Sequence, residues 1–242
     1  MILSETAKRA IIAYGGFEIW QNNTFIEAEV SVKGLAFTLK QRCFFERVNI
    51  EMKINTPNSS ITPIGKDKNI IGILEGNNVR LEDADRNIVS ERLNPRDYFP
   101  YGRRLLYWDD LDMAYFANYA FWNYLTLPKL LMNETIEWTE KREGVLEAKF
   151  PETIPTHSRI QEFHFDTITG LLLQHNYTAD IISKYAKAAH VIVNHITIDE
   201  LTFPSIRLVT PRTKRGGALK KPILIDIIVH NLKLTNAINS KL

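Results

Sequence analysis

Residues 107–131, YWDDLDMAYFANYAFWNYLTLPKLL, read as a helix with no polar side. Met113, Ala114, Phe116, Ala117, Ala120, Phe121, Tyr124 and Leu125 account for one face, and Tyr115, Tyr119 and Trp122 put rings on the others. A helix that is apolar all round must be enclosed. Lipid is ruled out as the enclosure, because the most apolar part, residues 113–127, is about 15 residues long where a span needs ~20, and acids precede it. Asp109, Asp110 and Asp112 suit a helix start, where the backbone favours negative charge, and Pro128 ends or kinks the helix. The rest of the chain therefore has to supply the wrapping.

That remainder has the period of strands. Ser4 followed by Thr6, Ala7, Ala10, Ile11, Ile12 and Ala13 reads as a short amphipathic helix that Gly15-Gly16 stops. Ile26, Ala28, Val30 and Val32 then alternate with polar residues, and Gly34 is expected to turn the chain into a second strand over residues 35–43. Val48, Ile50, Met52 and Ile54 alternate again, followed by shorter strands at 70–74, 77–82 and 87–92. Beyond the helix, strands are expected at 135–141, 145–150, 156–165, 171–181, 189–198, 201–210 and 223–234. The expected fold class is α+β, mostly β: a strongly curved antiparallel sheet, a half-open barrel, enclosing one apolar helix, with a short N-terminal helix.

A chain of 242 residues, 45% apolar and 24% charged, has a globular composition and can bury roughly 70% of its unfolded surface. No linker is long enough to force a boundary, so one domain over residues 1–242 is expected. The lone cysteine, Cys43, forms no internal disulfide and no cysteine-based zinc site; it is expected to be a small buried hydrophobe at a strand end. A net charge of +2 gives no argument for nucleic acid. His-Glu-x-x-His, phosphate-loop, dinucleotide and nucleophile-elbow motifs are absent, and His164, His190, His195 and His230 lack ligand spacing, so neither cofactor nor metal is expected. Residues 1–13 contain Lys8 and Arg9 and no apolar leader core, which makes cytoplasmic the expected location.

Two groups of side chains carry the functional expectations. With Phe165 paired to Leu171, one face of the 157–180 hairpin carries His157, Arg159, Gln161, Phe163 and Phe165 beside Leu171, Leu173, His175, Tyr177 and Ala179. That face is the more apolar and is expected on the concave side, and its buried polar groups need partners. The aspartates at the helix start are the expected ones, either as an acid/base pair of Asp112 with His157 or His175, or as a tether from Asp112 or Asp109 to Arg159 or His157. The second group is the aromatic stripe. Trp108, Tyr115, Phe116, Tyr119 and Trp122, with Phe163 and Leu173, either line a ligand cavity or form plain core. Residues 212–221 add five basic side chains around Gly216-Gly217, a solvated loop or a dock for phosphate or an anionic lipid surface.

The stretches AYGGFEIW, WDDLDMAYFANYAFWNYLTLP and FPETIPTHSRIQEFHFDTITGLLLQHNYTADI resemble an uncharacterised family of bacterial proteins. The layout of helix, curved sheet and enclosed helix also resembles the half-open barrel of LolA-type lipoprotein carriers. That second resemblance implies an apolar cavity for acyl chains; such carriers are exported. The leading reading is a binder of a hydrophobic small molecule or acyl chain between sheet and helix, with no nucleic acid, no transmembrane segment and an open oligomeric state. Its rivals are an enzyme using His157, Arg159, His175, Tyr177 and Asp112, and an interaction protein whose core is full.

Overall fold

A computed structural model describes residues 3–236; the expected span of 1–242 extends past them at both ends. The chain begins with α1 (Glu5–Ala13), capped by Ser4, and α2 (Gly16–Asn22), which starts at Gly15 with φ +107°. Strand β1 (Phe25–Lys33) leads into α3 (Leu35–Leu39), then β2 (Phe45–Lys53), β3 (Asn58–Thr62), β4 (Ile71–Glu75), β5 (Asn78–Glu82) and β6 (Ile88–Arg92). Two 3-10 turns, Pro95–Tyr98 and Gly102–Leu105, precede α4 (Asp110–Leu125) and α5 (Leu127–Leu130). The second half is all strand: β7 (Glu137–Arg142), β8 (Val145–Lys149), β9 (Ile160–Phe165), β10 (Leu172–Thr178), β11 (Lys187–Ile198), β12 (Leu201–Pro211) and β13 (Ile225–Thr235).

All thirteen strands join one antiparallel sheet in the order β6-β5-β4-β3-β2-β1-β13-β12-β11-β10-β9-β8-β7, curved but not closed. Among the described residues the one join between strands distant in sequence is β1 with β13, so the two halves of the sheet meet at the first and last described strands. Ile26, Ala28, Val30 and Val32 point inward, as their alternation predicts. The expected α+β half-open barrel is the observed architecture.

The enclosed helix is α4, fourteen of whose sixteen residues are buried. It packs on β3, β4, β5 and β6. Contact is close at Gly72, where a Cβ would stand 2.8 Å from the Ala114 methyl, and Asn118 Nδ2 donates to the Gly72 carbonyl at 3.0 Å. Pro128 sits in the first turn of α5, so the continuous helix of residues 107–131 is broken at Thr126.

One expected strand is a helix. Residues 35–43 do not pair with β1, whose partner is β2. Leucine, alanine and phenylalanine at 35–39 serve either period. What decides is that one helical turn drops Phe37 into the core, edge-on to Phe45 at 5.3 Å, and lets the Ala36 amide donate to the Leu224 carbonyl at 2.9 Å. A Cβ at Gly34, φ +139°, would collide with that carbonyl. Cys43 consequently leaves the helix into solvent rather than being buried in a strand.

Candidate functional site

The end of the barrel where β10 and β12 finish and β11 and β13 begin is not filled by α4. A cavity of about 350 Å³ remains there, within the ~300–1,000 Å³ range of ligand pockets. Ala36, Phe37 and Leu39 of α3 form one wall, Trp108, Met113 and Phe116 a second, and Ala188, Val209 and Ile225 of the sheet a third. The connection from β10 to β11 adds Ala179, Ile182, Tyr185 and Ala186. Leu39 and Tyr185 are exposed, so the cavity reaches the surface; His157 and Tyr177 are buried, so they mark its inner end.

Behind that inner end lies a fully buried network. His157 Nδ1 is 3.2 Å from the Tyr119 hydroxyl and Nε2 is 2.6 Å from the Tyr124 hydroxyl, which in turn meets Tyr177 Oη at 3.0 Å. The His157 ring stacks on Tyr177 with centroids 4.1 Å apart. Burial, helped by the nearby Arg96 charge, pushes the His157 pKa down to about 3, so the imidazole is neutral and bonds one hydroxyl as donor and one as acceptor. His175 Nε2 donates to Gln161 Oε1 at 2.5 Å and its ring stacks on Phe163. Burial also holds His175 and His190 well below the usual imidazole range.

The expected partnership of this hairpin with the helix-start aspartates is not formed. Asp112 is bound by Arg92 at 2.6 Å, Arg103 at 2.8 Å and Arg104 at 2.8 Å, with Asp109 bridging Arg92 and Arg103. Those arginines hold the Asp109 carboxyl well below the ordinary range. The cluster is a tether, but it clamps α4 to β6 and to the 3-10 turn rather than to β9. Arg159 instead lies outside, paired with Glu152 at 2.7 Å. It precedes the first residue of β9, so strand alternation does not reach it. Leu173 also faces outward, because a bulge between Leu172 and Gln174 lets Leu172, not Leu171, pair with Phe165.

Of the aromatic residues expected around a cavity, Trp108 and Phe116 line it. Tyr119 stands behind His157, Phe163 packs under His175, and Trp122 is buried against the sheet with Nε1 donating to the Lys53 carbonyl at 2.8 Å. Tyr115 borders a different recess of about 350 Å³, whose walls are charged and polar through Arg96, Asp97, Glu152 and Arg159.

Sequence reasoning missed Arg207 and His190. Arg207 on β12 is buried, donates to the Tyr124 carbonyl at 3.2 Å and lies over the Tyr124 ring at 5.4 Å, with no carboxylate partner among the described residues. Burial lowers its pKa to about 10. His190 faces the Tyr124 ring at 4.4 Å, and neither of its nitrogens has a hydrogen-bond partner among the described residues. The available signal was cross-strand placement: β10 and β11 put His175 directly opposite His190. By contrast His164, His195 and His230 are satisfied by Glu162, Tyr14 and Ser31. Among the described residues no group of histidine, cysteine and carboxylate side chains is disposed to hold a metal, and no helix is long and apolar enough to cross a membrane.

No family model matches the chain, and no curated protein matches it by sequence. Its likeness is in structure. A LolA superfamily protein of Nitrosomonas europaea superposes with a TM-score of 0.53 at 8% identity, covering 99% of this chain and 96% of that one. A putative outer membrane lipoprotein-sorting protein domain of Vibrio parahaemolyticus gives 0.47 at 10% identity, with 96% and 95% covered. The lipoprotein LppX of Mycobacterium tuberculosis gives 0.34 at 11%, with 98% and 99% covered. The fold is thus the LolA-type half-barrel that the layout resembles. The cytoplasmic expectation does not stand beside this likeness in fold to a LolA superfamily protein. Residues 5–13 are built into the fold as α1, with Ala7, Ala10 and Ile11 buried, so their charges say nothing about a leader.

Proposed function

We propose that this chain binds one hydrophobic small molecule of the acyl-chain class in the cavity between α3, α4 and β10–β13. The observation that carries the reading is an apolar space of about 350 Å³ that opens to the surface and ends at His157 and Tyr177. At the ~30 Å³ that one water occupies in the liquid, it has room for about a dozen groups of methylene size. Ligand-facing roles fall to Trp108, Phe116, Met113 and Val209 as walls, with the Tyr177 hydroxyl as the polar contact for a carboxyl, ester or hydroxyl. The half-barrel fold shared with a LolA superfamily protein supports the reading.

Titration with a fluorescent fatty acid tests this. The expected result is one saturable site, emptied by unlabelled dodecanoate and abolished by Ala186→Trp, which fills the cavity from its half-buried edge. A linear, unsaturable signal, or saturation that Ala186→Trp leaves intact, overturns the proposal.

A further inference from the structure

The surface around the cavity's opening has a composition unlike the rest of the chain. Four segments meet there: residues 35–44, 101–107, 182–188 and 211–224. The Ala36 amide donates to the Leu224 carbonyl at 2.9 Å, Lys40 Nζ to the Arg104 and Leu105 carbonyls at 2.8 Å, and the Arg212 amide to the Lys187 carbonyl at 3.0 Å. Together the four segments contain eleven lysines and arginines and no aspartate or glutamate. Arg42, Arg103 and Arg104 are spent on Asp110, Asp109 and Asp112, and Lys40 on carbonyls. The others form no ion pair with a carboxylate among the described residues, and Lys184, Lys187, Lys214, Arg215, Lys220 and Lys221 are exposed. Of the flanking acids, Asp226 is held by Lys33 at 3.6 Å and Asp109 by Arg92 and Arg103, while Glu46, Asp180 and Glu162, which reaches Gly216 through Asn176, stand at the margin outside the four segments.

The same rim exposes large apolar side chains that a solvated face would not need. Leu106 is 73% exposed, Tyr185 77%, Leu39 58% and Leu105 55%. Apolar tips set among unpaired cations, with no acid between them, match a bilayer whose headgroups are negative and whose interior takes leucine and tyrosine. An acidic protein would satisfy the cations but not this scatter of apolar tips around an opening into an apolar cavity.

We infer that this rim is a docking surface for an anionic lipid bilayer, seating the cavity's opening against the membrane. The inference deepens the acyl-chain reading, because a ligand could pass between bilayer and cavity without crossing water, and the two fail separately.

The test is partition of the full chain onto vesicles of phosphatidylcholine alone and onto vesicles in which about a third of the lipid is phosphatidylglycerol. Strong binding to the anionic vesicles only, weakened by raised salt, is expected. Replacing Lys214, Arg215, Lys220 and Lys221 together by alanine should lower the partition coefficient by at least about a hundredfold, at about fivefold per cation. Leu39→Asp with Leu106→Asp should lower it as well, while Lys129→Ala on α5 should not. All these positions except half-buried Lys129 are exposed, and thermal melts confirm that the variants fold. Equal partition onto both vesicles, or a quadruple variant that binds like the parent, overturns the inference, the second result even if fatty acid still binds the cavity. Absence of fatty-acid binding with selective, rim-dependent vesicle binding would break the cavity reading and leave the docking surface standing.

Discussion

Helix α4 treats the two halves of the sheet differently. Against β3–β6 it packs at backbone distance, made possible by Gly72 facing Ala114, and Asp112 locks the contact through three arginines. Toward β10–β13 it presents Phe116 and Met113, with Trp108 just ahead of its first turn, across open volume, and the sheet answers with the small or short Ala188, Val209 and Ile225. One helix therefore acts as core on one side and as the wall of a cavity on the other. The lesson is that an all-round apolar helix is not evidence of a full core; what matters is whether the opposing strands carry side chains large enough to reach it.

The comparison can be broken by mutation. Trp122→Ala in the packed half should cost about 3–5 kcal/mol in chemical denaturation, because a new void opens in a tight environment. Phe116→Ala should cost only about 1.5–3 kcal/mol, the transfer contribution, since its ring already borders open volume. Equal losses would mean that the cavity is closed in solution. Asp112→Asn leaves three arginines without their shared carboxylate and should cost about 3–5 kcal/mol, against about 0.5 kcal/mol or less for the exposed Arg159→Ala. A near-neutral Asp112→Asn would show that the arginine cluster does not hold α4. Gly72→Ala should cost about 1–3 kcal/mol by overpacking against Ala114, and no loss would place α4 farther from β4 than the structure has it.

The open half also makes a pH prediction. Below pH 6.5 the unfolded chain protonates histidines that stay neutral in the fold down to about pH 3 for His157. Stability is therefore highest above pH 6.5 and falls as pH drops toward 3, by up to about 1.4 kcal/mol per pH unit for each such histidine. Asp109 adds to the loss only at lower pH, below the ordinary carboxylate range. His157→Gln should flatten the slope between pH 6.5 and 4.5 by about one proton's worth. An unchanged slope would mean that His157 is accessible to protons in the folded chain.

How much of this was legible in the sequence follows from where periodicity operates. The alternation in β1, the helix of 110–125 and the inward face of Phe163, His175 and Tyr177 could be read, because each residue's direction is set by its neighbours in the same element. Arg159 and Leu173 could not, since a strand boundary at Ile160 and a bulge beside Leu172 each shift the alternation by one step. The partners of Asp112 were out of reach for a different reason. Arg103 and Arg104 come from a 3-10 turn with no apolar period, and Arg92 from a strand whose side chains are mostly exposed. A cavity between sheet and helix was expected, with Trp108 and Phe116 on its wall, but its volume could not be read, because that depends on how small residues from four elements are brought opposite one another.

Methyl-resolved NMR during titration with dodecanoate examines the central claim most directly, since both halves of the sheet carry reporters. Saturable shifts are expected at Ala188, Val209, Leu224 and Ile225 around the cavity, with Leu74, Val79 and Leu81 under α4 unmoved. Shifts confined to the β4–β5 half, or none at any of these methyls, would contradict it.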